Sequence, residues 1–421
     1  MELPDRIAVI GLGYVGLPLA VALARHFDVV GIDRDADRVA ALSAGRDVTR
    51  EVSGEALAST RARFAADPAA MAGADLFIVA VPTPVDGQNA PDLGAVRSAM
   101  ASVGAHMGRG ATVVLESTVY PGATDEVCRP ILERASNLAG GADFFLGYSP
   151  ERMNPGDRAH GLADLVKVVA GETAEVADML AAVYGAVTGG NVFVARDIRT
   201  AEAAKVIENA QRDINIAFVN EVAMISNKLG LSAYDVLEAA RTKWNFLPFA
   251  PGLVGGHCIG IDPYYLAHKA AQVGHDPEII LAGRRINDGM GRYVAQSIDA
   301  ALGRRSEILV LGLAFKENVP DLRNSGVADI VRTLTAAGHI VHVHDAFADP
   351  EEARREHGIE LVPDLAGGPY DAVVGAVMHG PYLELGAAEF ARLLRAGGLL
   401  ADIKGMWRPL ALPDTVRRWS L

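Results

Sequence analysis

The chain has 421 residues, half of them hydrophobic and 22% charged, an ordinary globular composition with length for two or three separate cores. Its net charge of -13 carries no basic footprint for nucleic acid or an anionic membrane, so neither is expected as a partner, and an anionic ligand needs local positive groups. The only two cysteines, Cys128 and Cys258, argue against a disulfide framework and suit a reducing cytoplasm; neither has zinc-ligand spacing, so no metal is expected.

Residues 7–10 read as a buried parallel strand, Gly11-Leu12-Gly13-Tyr14-Val15-Gly16 as a tight turn and 17–25 as a helix. The uncharged run of 18 residues from 7 to 24 has the length of a short membrane span. Three glycines and Pro18 at turn spacing inside it, with Arg6 before and Arg25 after, favour strand, turn and helix. A second strand, 29–32, ends in Asp33. Glycines of this turn let a pyrophosphate approach the backbone at a helix N-terminus, and an acidic residue about 20 positions on holds a ribose hydroxyl pair. Strand, turn, helix and Asp33 together predict dinucleotide binding, with NAD favoured because a carboxylate repels the 2'-phosphate of NADP.

Strands at 75–81, 111–116 and 144–148 continue the alternation. Ligands bind beyond the carboxyl ends of such strands, which places Thr83, Thr118 and the pair Glu151-Arg152 at that rim. Each also has a plain reading, as a helix cap or a solvated ion pair on a loop. Cys128 falls in a helix-like stretch and reads as core.

From 200 to 229 no glycine or proline interrupts the helical spacing, so a helix roughly 45 Å long is predicted. Lys205, Asn209 and Arg212 or Asp213 share one face of it, as a solvated stripe or as a cleft wall. After a helix at 233–240 come Arg241, Lys243 and Trp244, then a Pro-Gly loop, then Gly255-Gly256-His257-Cys258-Ile259-Gly260-Ile261-Asp262. A cysteine between glycines with a carboxylate four residues on is where a nucleophile would be placed, although a buried cysteine alone is usually inert. Helix resumes at 264–271 and 277–287. Apolar strands then return at 308–311, 340–344, 372–377 and 399–403, a second doubly wound sheet without a GxGxxG, with Lys316 and Arg323 following its first strand.

The blocks GLGYVGLPLA, ESTVYPG, GYSPERMNPGD, EAAKVIENAQRDINIA, PFAPGLVGGHCIGIDPYYL and LGLAFKENVPDLRNS stand in the order of the nucleotide-sugar 6-dehydrogenases, and the chain resembles that family from residue 7 to about 404. The SPERMNPGD loop is similar to the branch acting on UDP-N-acetylhexosamines, so UDP-N-acetylglucosamine is favoured over its galactosamine and mannosamine relatives and over UDP-glucose. The resemblance implies an α/β protein of two Rossmann-like doubly wound parallel sheets joined by a helical domain. The expected division is an NAD-binding domain over 1–198, a central helical domain over 199–300 that makes a homodimer, and a UDP-sugar-binding domain over 301–421, all in the cytoplasm. It implies two hydride transfers to NAD, the second from a thiohemiacetal of Cys258, which leaves a thioester for water to cleave.

By the family's pattern Lys205 and Asn209 steady the oxyanion, Asp262 with a water held by Thr118 manages the proton, and Glu151 serves as base for hydrolysis. Gly11, Gly13, Tyr14, Val15, Gly16, Asp33, Thr83 and Thr118 match cofactor positions, with Arg323 reaching in from the last domain. Glu151, Arg152, Asn154, Lys205, Asn209, Phe249, Gly252, Gly255 and Lys316 match substrate positions, and Arg241 approaches the partner subunit's sugar. One departure is His344-Asp345-Ala346, where the family shows an aromatic-Asp-Pro turn. Two other readings compete: a single-hydride dehydrogenase of the 6-phosphogluconate or 3-hydroxyacid kind, against which Cys258 and the third domain speak, and a silent sugar-nucleotide sensor, which would have lost Cys258, Lys205 or Asp262.

Overall fold

The computed structural model describes residues 2–152, 164–256 and 259–421. The chain packs as two compact units, one of residues 1–208 with 264–275 and the other of 209–263 with 276–421.

In the first unit the strands are β1 Arg6–Ile10, β2 Asp28–Ile32, β3 Arg63–Ala65, β4 Leu76–Val79, β5 Thr112–Leu115, β6 Phe145–Tyr148, β7 Lys167–Gly171 and β8 Val192–Val194. They form one sheet in the order β3-β2-β1-β4-β5-β6-β7-β8. Every pairing is parallel except β6 with β7. Strands buried on both faces need continuous apolar runs, and β4 (Leu-Phe-Ile-Val) has one, every residue of it fully buried. Each such side chain contributes about 1.5–3 kcal/mol over its exposed state. Strand order reverses between β1 and β4, which puts the ligand crevice of this fold at the Gly11 turn.

The second unit has β9 Glu307–Leu311, β10 Ile340–His344, β11 Tyr370–Gly375, β12 Leu394–Asp402 and β13 Arg417–Ser420, all parallel in the order β10-β9-β11-β12-β13. The helix predicted to stop at 287 runs on as Glu278–Leu302. Gly289 and Gly291 weaken the helical pattern in the sequence, yet a Cβ on Gly291 would come within 2.7 Å of the Gly326 carbonyl, so the missing side chain allows helix Gly326–Ala336 to pack against it. The long helix spans Ile198–Leu229.

The two sheets open with the same turn. Gly11 and Gly312 have φ of 94° and 95°, a region that favours glycine, and each donates its N–H across to the next strand, to Ile32 and His344, at 2.8 Å. The following amides, Leu12 and Leu313, donate to Asp33 and Asp345 at 2.8 and 2.6 Å. Asp345 is further saturated by the amides of Ala314, Phe347 and Ala348 and by His379 Nε2 at 3.1 Å. Burial pushes its carboxyl up, but these donors outweigh burial and hold it well below the usual range. His344, at the departure from the family turn, bonds the Tyr382 hydroxyl through Nδ1 at 2.8 Å.

Candidate functional site

The first unit supplies a dinucleotide cradle. A Cβ on Gly16 would lie 1.8 Å from the Gly11 carbonyl and one on Gly11 2.5 Å from that of Ala80, so these two glycines close the turn. Gly13 has nothing within 4 Å of where a Cβ would stand, which leaves its face open at the start of helix Gly16–Leu23, with Tyr14 and Val15 completing the turn. This is the geometry a pyrophosphate needs, and the residues fit NAD. Asp33, half-buried at the end of β2, accepts from Leu12 N and from Asp35 N at 3.0 Å, which fixes its carboxylate beside the turn. Behind it, buried Arg38 donates through Nε and Nη2 to the Leu12 carbonyl at 3.0 and 2.8 Å and pairs with Asp47 at 2.7 Å.

Thr83 and Thr118 are both partly exposed on the loops that follow β4 and β5. Ser117 ties these loops together, accepting from Val81 N at 3.0 Å and donating to Val81 O at 2.6 Å. Glu202, buried on the long helix, accepts from Gly122 N at 2.5 Å and from the amide and hydroxyl of Thr124 at 2.9 and 2.6 Å, which anchors the Thr118 loop to that helix. Glu151 follows β6; one carboxylate oxygen accepts from Arg152 N at 2.7 Å and the other lies 3.5 Å from Lys167 Nζ. Arg152 does not pair with its neighbour but with Glu208 at 2.6 Å, and donates to Val166 O at 2.8 Å. Lys205 is buried, and no carboxylate of the described residues lies within ion-pair distance of it.

In the second unit Asn209 and Asp262 are both buried and joined, the amide donating to the carboxylate at 2.5 Å. The solvated-stripe reading of the helix face therefore fails: Lys205, Asn209 and Asp213 are all buried, with Asp213 bonded by Arg284 at 2.5 Å and Asn287 at 2.7 Å. Asn220 clasps Gly252 by both backbone groups, at 2.8 and 3.0 Å. Arg241 donates to the Phe249 carbonyl at 2.8 Å. Gly255 and Gly256 pack flat on Phe315, where a Cβ on either would come within 2.8 Å of it, and Gly256 bonds the Arg323–Asn324 backbone and side chain at 3.2 and 3.3 Å. Arg323 itself is engaged by Asp321, with Nε at 2.8 Å. An open recess is lined by Gly255, Phe315, Glu317, Ser325, Gly326 and Lys404, whose ammonium lies 3.4 Å from Glu317; Lys316 sits half-buried beside it in sequence. Cys258 and Asn154, and with them His257, lie outside the described residues.

Residues 5–188 match the NAD binding domain of the UDP-glucose/GDP-mannose dehydrogenase family, 199–289 its central domain and 309–409 its UDP binding domain. The chain belongs to this family. It is 48% identical to UDP-N-acetyl-D-glucosamine 6-dehydrogenase of Pseudomonas aeruginosa over 95% of this chain and 96% of that one. It is 47% identical to Protein CapL of Staphylococcus aureus over 99% of each. Among solved structures, the UDP-D-ManNAc dehydrogenase of Pyrococcus horikoshii superposes with a TM-score of 0.88 at 29% identity, covering 98% of both chains. The protein is an NAD-dependent nucleotide-sugar dehydrogenase, built, as its sequence predicts, from two Rossmann-like sheets and a helical segment.

Sequence reading of this dehydrogenase did not find Arg38, Ser117, Glu116, Lys167, Glu202, Asn220 or Lys404. Glu116 and Ser117 stand in the ESTVYPG block and Glu202 opens EAAKVIENAQRDINIA, but residue type and spacing give none of the seven a role; what singles out all but the half-buried Lys404 is burial, which appears only on folding. No helix among the described residues is long and apolar enough to cross a membrane.

Proposed function

We propose that this dehydrogenase oxidises the C6 alcohol of UDP-N-acetylglucosamine to the carboxylate in two successive two-electron steps, through a Cys258 thiohemiacetal and thioester. NAD, when bound, supplies the hydride acceptor for each step. In the first, Lys205 steadies the alkoxide while Asp262, with a water held by Thr118, takes the hydroxyl proton. The Cys258 thiolate then adds to the aldehyde carbon, which turns a poor hydride donor into a good one. Loss of the second hydride leaves a thioester. Water, deprotonated by Glu151, attacks it, releases the thiolate and yields the uronic acid for surface polysaccharide assembly.

The observation that carries this chemistry is the buried pair of Asn209 with Asp262, the carboxylate four residues past Cys258, and the buried Lys205 one helical turn before Asn209, which no carboxylate of the described residues pairs. Glycines of the Gly11 turn support the cofactor positions, and the recess beside Gly255 supports sugar-nucleotide binding by the last part of the chain. The three-part division at about 198 and 300 is supported by the limits of the family matches. Choice of sugar rests on the Pseudomonas relative. A homodimer through the central helices is supported by Phe218, Ile225 and Leu229, exposed at helical spacing on the long helix, and the cytoplasm by its nucleotide substrates.

Offering UDP-N-acetylglucosamine, UDP-N-acetylgalactosamine, UDP-N-acetylmannosamine and UDP-glucose separately tests the sugar assignment. The highest kcat/KM is expected with the first. A clear preference for UDP-glucose would overturn the hexosamine reading and leave the dehydrogenase chemistry intact.

A further inference from the structure

Two ionisable side chains that this scheme leaves out lie directly behind Glu151. Glu116 follows β5 and Lys167 opens β7. Because β7 runs antiparallel to β6, its first residue arrives at the rim where the parallel strands end. Their side chains are 0% and 2% exposed. The Lys167 ammonium donates to Glu116 Oε1 and reaches Glu151 Oε2 at 3.5 Å, so one cation serves two carboxylates. Among the described residues Tyr184 also faces the cluster, its ring 5.4 Å from the Lys167 ammonium.

A stabilising role does not account for this arrangement. A buried ion pair gives little net stability over an apolar pair of the same volume. Moreover, Glu116 Oε2 has no hydrogen-bond partner among the described residues, which is a cost. What the arrangement does provide is a fixed position for the Glu151 carboxylate and a second acid whose charge competes for the same ammonium.

We propose that Lys167 and Glu116 are positioning residues for Glu151: the shared ammonium holds its carboxylate at the rim, and ionisation of Glu116 sets its basicity during thioester hydrolysis. The inference rests on the role given to Glu151 above. Burial, helped by the Glu151 charge and opposed by Lys167, pushes Glu116 up to about 7. Burial works to lower Lys167, but the two carboxylates outweigh it and keep it protonated. Below that pH the ammonium belongs to Glu151 alone. Above it, ionised Glu116 draws the ammonium away and Glu151 becomes the stronger base. Hydrolysis therefore gains an ionisation that hydride transfer lacks.

The test is single-turnover kinetics across pH, with the acyl-enzyme quenched and counted by mass spectrometry while NADH reports each hydride transfer. Glu116→Gln keeps the shape of the side chain and should abolish the step near pH 7 in hydrolysis while leaving the NADH profile unmoved. Lys167→Met should slow hydrolysis by about tenfold or more and accumulate acyl-enzyme, with Lys167→Arg recovering part of the rate. Should Lys167→Met fail to fold, the neutral double variant Glu116→Gln/Lys167→Met restores charge balance and should show the same slow, pH-flat hydrolysis. Infrared difference spectra of the substrate-free protein give an independent reading: buried carboxylic acid absorption should fade as pH rises through about 7, with Glu116 and Glu202 both contributing because burial pushes each up to about 7, and Glu116→Gln should remove the Glu116 share. An acyl-enzyme whose hydrolysis has the same pH profile with and without Glu116, or carboxylic acid absorption that Glu116→Gln leaves unchanged, overturns the inference alone. A native protein that forms no acyl-enzyme refutes the thioester route itself, and the inference with it.

Discussion

Asn220 joins the long helix to the loop that leads toward Cys258, and its removal should loosen that loop in a measurable way. The side chain is fully buried and makes three hydrogen bonds, two to Gly252 and one to Asn287 Oδ1 at 2.8 Å. Asn220→Ala deletes all three, each worth about 1 kcal/mol net, and leaves buried groups of Gly252 and Asn287 unsatisfied, so the local loss is about 3–5 kcal/mol. A loss of that size raises the population of the opened loop on the order of a hundredfold or more. Hydrogen exchange over residues 247–256 should accelerate accordingly, kcat should fall and KM for the sugar nucleotide should rise. Alkylation gives a second readout, because burial pushes the Cys128 thiol up to about 12 and leaves Cys258, the other of the chain's two cysteines, as the group that reacts. Exchange and alkylation rates within twofold of the native protein would refute the reasoning.

Two further outcomes follow from the turns. Gly16→Ala places a Cβ 1.8 Å from the Gly11 carbonyl, so the turn must shift; KM for NAD should rise at least tenfold with little change in sugar binding, and unchanged NAD affinity would contradict the cradle assigned to it. Asp345→Asn should destabilise the second unit by a few kcal/mol at neutral pH. Because the native carboxyl is held below its ordinary value, that stabilisation is present above pH ~4 and is lost as pH falls toward the native pKa. Denaturant unfolding of native and variant protein should therefore converge in acid; a constant difference at all pH would show that packing, and not charge, is responsible.

The first turn was legible in the sequence because its function constrains several residues at once: close approach demands Gly11 and Gly16, open space demands Gly13, and Asp33 must stand at the end of the next strand. Short or charged strands were not. β3 has three residues and β13 reads Arg-Arg-Trp-Ser, an edge strand with no apolar alternation, so neither carries the periodicity that marks β1 or β4. β7 was missed although Lys-Val-Val-Ala-Gly is apolar enough, because a single antiparallel strand at the end of a parallel series has no local signature. The site divides the same way. Asp262 and Lys205 stood out by spacing from Cys258 and along the helix, whereas Glu116, Lys167 and Asn220 become meaningful only when burial forces each to find a partner.

Cys258 is the proposed covalent hold for the aldehyde. Counting NADH released per UDP-N-acetylglucosamine consumed, in native protein and in Cys258→Ser, tests it most directly. Two NADH per sugar, with complete turnover lost in the variant, is the result expected. One NADH per sugar in both proteins would remove the thiol from the mechanism and leave a simple alcohol dehydrogenase in its place.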